Sequence, residues 1–339
     1  MTDEQNSSPT AASQSLTETV SLVIPQDAAG SRLDATLASL LPDLSRGRVQ
    51  ALLKDGLILV DGAPAGRALK LRGGEQITVK LEAREETHWS PEPIPLAITF
   101  EDEDVLVVDK PAGLVVHPGA GNASGTLANA VLAACPQTAS LPRGGIVHRL
   151  DKDTTGLMVV AKTELAHRSL VAQLSERQVK REYLALVRGT PTGGGCVDAP
   201  LGRHPRDRKR MHVVSDGRHA VTHYRIETRL GPYTLLRVNL ETGRTHQIRV
   251  HMSHLGMPLI GDPVYGGRPR PVAGLAPNVS EVVHAFRRQA LHATRLEFVH
   301  PRADSEVTFD SPLPADFRYL VDTLSEATDA GDAGRTGVS

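Results

Sequence analysis

Aromatic residues are scarce in this sequence: one tryptophan, five tyrosines and five phenylalanines make up 3% of 339 residues. A chain with so few large rings builds its core from aliphatic side chains, and any ring that lines a cleft becomes conspicuous. Cysteine is scarcer still. Cys135 and Cys196 have no metal-ligand spacing and no second pair to join, which excludes a disulfide framework and makes a reducing cytoplasm the expected compartment. No apolar run approaches membrane-spanning length, and the N-terminal MTDEQNSSPTAASQSLTETV has no basic-then-apolar leader pattern, so no membrane partner is expected.

An excess of either charge is also missing. The 38 cations and 39 acids leave a net charge of −1, which taken alone argues against a nucleic-acid partner. Both ends of the chain are acidic, however, and residues 21–324 carry 37 cations against 33 acids. A surplus of four is weakly basic, so any polyanion must be held by local patches.

Residues 1–20 are rich in Ser, Thr, Gln and Ala without periodicity, and are expected to form a disordered tail. Ser31 can then cap a helix with Leu33, Leu37, Leu40 and Leu41 on one face, and Ser45 a second one carrying Val49, Leu52 and Leu53. Leu57–Val60 runs into Asp61-Gly62, a strong two-residue hairpin signal, and Gln76–Val79 alternates as a closing strand. Arg46, Arg48, Lys54, Arg67, Lys70 and Arg72 make this a small basic unit, suited to phosphate contacts that give affinity but little sequence information. In EAREETHWSPEPIP the alternating Pro91, Pro93 and Pro95 predict a stiff extended linker over 83–95.

The most informative stretch is Gly144–Lys162, GGIVHRLDKDTTGLMVVAK. Two apolar runs, Ile146-Val147 and Leu157–Val160, read as short buried strands. Between them Arg149, Asp151, Lys152 and Asp153 are crowded into one loop, where charges must find partners because desolvating a lone carboxylate is costly. Upstream, HPGAGNASGT precedes a helix, but it has neither the GK[ST] of a phosphate loop nor dinucleotide-fold spacing. Downstream, Glu164–Gln178 is amphipathic, and strands are expected at Lys180–Val187, His219–Thr228 and Tyr233–Leu240. The densest basic patch is GRHPRDRKRMH, residues 202–212, whose Gly, Pro and His predict a loop; Arg206, Arg208, Lys209 and Arg210 within it suit RNA. His246, His251 and His254 follow no metal-ligand spacing, and Asp151-x-Asp153 does not directly follow a strand as metal-dependent phosphatase sites require, so no metal is expected.

His148-Arg149-Leu150-Asp151 with Thr154-Thr155-Gly156-Leu157 resembles the catalytic motif of the RluA-type pseudouridine synthases. HPGAGN, ETGRTHQIRVH (241–251) and Ala290-Leu291-His292-Ala293 resemble further motifs of that family, and the likeness spans roughly residues 20 to 324. The basic N-terminal unit resembles the alpha-L RNA-binding module of a small-subunit ribosomal protein. The resemblance implies an α+β chain. An alpha-L domain over 21–82 is followed, after the linker, by a catalytic domain over 96–324 of mixed, mainly antiparallel β-sheet with flanking helices, and by a disordered tail over 325–339.

It also implies roles. Asp151 matches the family's essential carboxylate, Arg249 the basic residue paired with it, and Tyr183 the tyrosine that stacks on the target base and serves in proton transfer. Ile248 matches an apolar contact to the base, and Arg149 the side chain that fills the space left by a flipped base. The implied activity is isomerisation of uridine to pseudouridine without a cofactor, by a monomer. The substrate implied is large-subunit ribosomal RNA or a ribosomal precursor particle, at the stem-loop that reaches the decoding region. A non-catalytic RNA-binding assembly factor, or the same enzyme acting on transfer RNA or another ribosomal site, are the alternatives.

Overall fold

In the computed structural model, residues 17–41, 44, 46–82, 89–119, 121–207, 210–267 and 275–336 are described. The chain divides between His88 and Trp89 into two units.

The first unit holds β1 (Thr17–Val23), α1 (Leu33–Leu40), α2 (Arg46–Lys54), β2 (Ile58–Val60), β3 (Ala63–Pro64) and β4 (Gln76–Glu82). Its antiparallel sheet has the order β1-β4-β2-β3. Asp61 and Gly62 both take positive φ, 48° and 80°, which matches the hairpin twist and joins Val60 directly to Ala63. Leu33, Leu37, Val49, Leu52 and Leu53 are buried against Ile58, Ile77 and Val79, as the helical spacing requires, whereas Leu40 lies outward.

Two expectations are corrected here. Ser31 is not the cap of α1; that position falls to Arg32, and the Ser31 hydroxyl donates instead to the Ala28 carbonyl. Residues 17–20, expected in the tail, are strand, because pairing with β4 satisfies their backbone and Val20 packs on the edge of the core. The tail expected over 1–16 and the linker segment 83–88 lie outside the described residues, as do the side chains of Arg46 and Arg48.

The second unit is built on β5 (Ala97–Glu101), β6 (Val105–Lys110), β7 (Thr155–Ala161), β8 (Lys180–Arg188), β9 (Gly195–Asp198), the ribbon β10 (Leu201–Arg203) with β11 (Met211–Val213), β12 (Val221–Leu230), β13 (Tyr233–Leu240), β14 (Leu291–Val299) and β15 (Glu306–Asp310). Its helices are α3 (Leu127–Ala134), α4 (Glu164–Ser175), α5 (Gln247–His254), α6 (Pro277–Ala285) and α7 (Ala315–Thr336). One large sheet runs β5-β6-β7-β14-β8-β13-β12-β9, with β15 on β14. β7 and β14 are parallel, and the other neighbours are antiparallel.

The centre of the sheet is buried on both faces, which explains the unbroken apolar runs. Leu106, Val108, Met158 and Val160 pack with α3 on one side, and Val105, Val107, Leu157 and Val159 pack with α4 on the other. Thr126 caps α3 in a reciprocal box with Asn129, and Thr163 caps α4 through the Ala166 amide. Residues 325–336 belong to α7, not to a disordered tail: Phe317, Leu320 and Leu324 anchor the helix against Leu186 and Leu230, and it continues beyond that anchor. Residues 89–95 are not a free linker either. The Glu92 amide donates to the Asn129 carbonyl, Asn129 Nδ2 donates to the Ser90 carbonyl, and Trp89 stacks obliquely on His117. Ile146 makes only an isolated bridge to Val160 and no strand, because a left-handed turn at Arg143–Gly145 directly precedes it.

Candidate active site

The HRLD motif is the turn that leads into β7. The Thr154 amide donates to the Asp151 carbonyl at 3.1 Å, so the chain reverses sharply and Asp151 stands at the strand's mouth. Two features lock the turn. Gly156 has φ 113°, and a Cβ there would lie 2.2 Å from the Ala293 carbonyl oxygen, so only glycine lets β7 and β14 approach this closely. This contact joins the TTGL and ALHA motifs, and Thr155 Oγ1 meets His292 Nδ1 at 2.9 Å. Behind the turn Lys110, 1% exposed, donates from Nζ to the carbonyls of Pro111, Leu114 and Lys152. Burial pulls its pKa down to about 8.

Arg249 reaches Asp151 from α5. Its Nη1 donates to Asp151 Oδ2 at 2.9 Å, while Nε and Nη2 donate to Asp262 at 2.7 and 2.9 Å. Asp262 in turn accepts the amides of Val264 and Tyr265. Burial is the largest single influence on Asp262 and works against its ionisation, but the Arg249 hydrogen bonds and charge together with the Tyr265 and Val264 amides hold the carboxyl below its ordinary range. His246 takes a left-handed backbone, φ 57°, at the start of α5, which sets its Nδ1 2.8 Å from the Tyr265 hydroxyl and its Nε2 3.9 Å from Asp151 Oδ1. The Tyr265 ring is covered by Arg249 and Arg210, at 5.1 and 5.5 Å from its centroid.

Asp151, His246 and Arg249 border one cavity of about 790 Å³, whose lining also includes Trp89, Arg149, Tyr183 and Ile248. Tyr183 projects from β8 with 5% exposure, and burial pushes its phenol pKa up, so the hydroxyl keeps its proton at neutral pH. Arg149 is exposed at the rim and Ile248 is buried in the wall. The structure thus brings Asp151, Tyr183, Arg249, Arg149 and Ile248 together from loops and elements up to 100 residues apart.

The basic patch is partly strand. Residues 201–203 and 211–213 pair as the β10–β11 ribbon, because Leu201, Met211 and Val213 have apolar side chains to pack. Arg206 is exposed; Arg210 lies over Tyr265, and the Met211 amide donates to the Tyr265 hydroxyl. Arg208 and Lys209 lie outside the described residues. His251 has both ring nitrogens engaged, to Thr222 Oγ1 at 2.8 Å and the Ala199 carbonyl at 2.9 Å.

Asp262, Tyr265, His246, Lys110 and Trp89 also build or support the site, and no sequence motif marks them for it. Asp262 and Tyr265 stand in a run, GDPVYGG, whose glycines and proline signal a tight turn, but nothing local says which arginine the turn clasps.

Comparison with known proteins gives this architecture its class. The family model for RNA pseudouridylate synthase matches residues 104–254, and the S4 domain model matches residues 31–77. The chain belongs to the RNA pseudouridylate synthase family and is an enzyme of that kind. Among its relatives, ribosomal large subunit pseudouridine synthase D of Xanthomonas campestris is 52% identical over 304 residues, covering 90% of this chain and 92% of that one. The proteins of that name from Pseudomonas aeruginosa and Escherichia coli K12 are 50% and 49% identical, each match covering 91% of this chain and 96% or 94% of the relative. Of solved structures, Human RNA Pseudouridylate Synthase Domain Containing 4 is similar at 26% identity and a TM-score of 0.53, covering 67% of this chain and 92% of that one. Among the described residues no helix is long and apolar enough to cross a membrane.

Proposed function

We propose that this chain isomerises specific uridines of large-subunit ribosomal RNA to pseudouridine, in the stem-loop that reaches the decoding region, with Asp151 as the catalytic carboxylate. The observation that carries this reading is the Asp151–Arg249 pair at 2.9 Å, set in a cavity that also takes in the Tyr183 ring. The relatives' name supplies the substrate class.

The reaction breaks the bond from N1 of the base to C1′ of the ribose, turns the base, and joins C5 to C1′, while C5 gives up its proton and N1 takes one up. No electrons enter or depart. The chain's task is to hold a carboxylate ionised and aimed, to stack the detached ring, and to exclude water. Arg249 fixes one oxygen of Asp151 and leaves Oδ1, 3.9 Å from the nearest His246 nitrogen, for the substrate. Tyr183 stacks on the ring and takes part in moving the proton. Ile248 packs against the base, and Arg149, at the rim, fills the gap that the flipped nucleotide leaves in its stem. Arg46 and Arg48 of the S4 domain, with Arg206, Arg208, Lys209 and Arg210, hold phosphates. The enzyme acts in the cytoplasm as a monomer and needs no cofactor.

Tritium release from large-subunit ribosomal RNA labelled at uridine C5 tests this directly. Wild type releases tritium and Asp151→Ala does not. Release surviving that substitution overturns the role of Asp151. Release from transfer RNA but not from ribosomal RNA overturns the substrate.

A further inference from the structure

Arg181 stands apart from the other cations of the cavity. It is 9% exposed, yet it forms no hydrogen bond or ion pair with any described residue, and its Nε is fully buried without a partner. The two carboxylates that border the cavity are engaged elsewhere: Asp151 accepts from Arg249, and Glu241 accepts from Arg177 and contacts His223. A guanidinium this buried without a counter-charge is costly, and the cost is relieved when an anion enters beside it.

Its surroundings are shaped for such an approach. A Cβ on Gly243 would lie 2.8 Å from Arg181 Nη1, so the bare backbone of the ETGRTH loop gives the guanidinium its place in the wall. Next to it, His148 accepts the Val159 amide at Nε2, which leaves its proton on Nδ1. Burial and the Arg181 charge keep that ring neutral, so it adds no second positive charge beside the guanidinium.

Position identifies the anion. Arg181 and Tyr183 are two residues apart on β8, so both project from the same face of the strand about 7 Å apart. That is about the separation between a stacked base and the phosphate of its own nucleotide. We infer that Arg181 binds a backbone phosphate of the nucleotide whose base stacks on Tyr183, a subsite that clamps the flipped nucleotide from its sugar-phosphate side. The inference rests on the proposed uridine site.

The test uses a synthetic large-subunit rRNA stem-loop whose modified uridine is first mapped with the wild-type enzyme. Two RNAs are compared, one with ordinary phosphodiesters and one with a neutral methylphosphonate on either side of that uridine. Wild type binds the neutral RNA more weakly and with a smaller salt dependence, the slope of log K against log salt falling by about 0.7. Arg181→Gln already shows the smaller slope on ordinary RNA and discriminates between the two RNAs little or not at all. If Arg181→Gln does not fold, Gly243→Ala, which displaces the guanidinium and keeps the charge, gives the same readout. Discrimination by the variant equal to that of wild type overturns the phosphate subsite and leaves the function standing. Wild type that neither modifies nor binds the stem-loop overturns the reading on which the subsite rests.

Discussion

Asp262 grips Arg249 through two parallel hydrogen bonds, and only the remaining nitrogen of that guanidinium is left to reach Asp151. Asp262→Asn therefore frees Arg249 to turn without removing its charge. The expected result is a loss of about 10²-fold in kcat with RNA affinity little changed, because misplacement of a positioning group by about 1 Å has that effect. Arg249→Ala, which strands a buried carboxylate, should cost about 3–5 kcal/mol in denaturant unfolding as well. An Asp262→Asn enzyme with wild-type kcat would show that Asp151 needs no such anchorage.

Tyr183→Phe separates the ring from the hydroxyl. The ring packs among Leu291 and Ile248, and the hydroxyl makes no hydrogen bond to any described residue, so the variant should fold with normal stability. RNA binding should persist while single-turnover rate falls by about 10²–10⁴-fold, the range for loss of a proton-transferring group. A rate within a few-fold of wild type would leave the tyrosine a stacking role alone.

His148 should remain neutral in acid. Burial first, then the nearby Arg181 charge, lowers its pKa to about 3. Its Nε2 accepts from Val159, so nitrogen-15 NMR at pH 5 should find the neutral form protonated at Nδ1. Since the unfolded histidine titrates near 6.5, the unfolded state takes up the proton first. Its contribution is complete above pH 6.5 and is lost as pH falls from there toward 3. His148→Phe should flatten this part of the acid limb.

Lys110 gives the opposite end of the pH range. The folded amine titrates at about 8 and the unfolded one at 10.5, so the unfolded state holds more protons between those values. Stability should rise with pH across that window, by about 3 kcal/mol for wild type relative to Lys110→Met. Chemical denaturation at pH 7.5 and 10.5 measures it, and parallel behaviour of the two proteins would mean that Lys110 is not buried as a cation.

Motifs made of neighbours could be read without coordinates. Asp61-Gly62 at the hairpin and the charged loop between apolar runs depend on residues a few positions apart. The pairing of Asp151 with Arg249, 98 residues on, came only from resemblance to a family. Nothing near Arg249 distinguishes it from Arg244, which spends its Nε on the His219 carbonyl. The chain ends depart from the sequence expectation for a related reason. Residues 17–20 have polar composition, but β4 offers them a partner edge, and a strand's backbone is satisfied by its partner irrespective of its own sequence.

The sequence by itself determined the local elements, the division into a small basic unit and a larger one, and the identity of the carboxylate motif. The elements and the division follow from turn chemistry, side-chain periodicity and residue spacing, all of which act over a few residues, and the motif's identity rests on its resemblance to the family. The tertiary structure decided which charges are paired and which are buried alone. β14, placed between β7 and β8, closes the Asp151 turn through Gly156; α5 carries Arg249 inward; and the fold leaves Arg181 in the wall without a carboxylate. Burial and Coulomb energy depend on the whole surrounding set of atoms, and the linear order of residues does not specify that set.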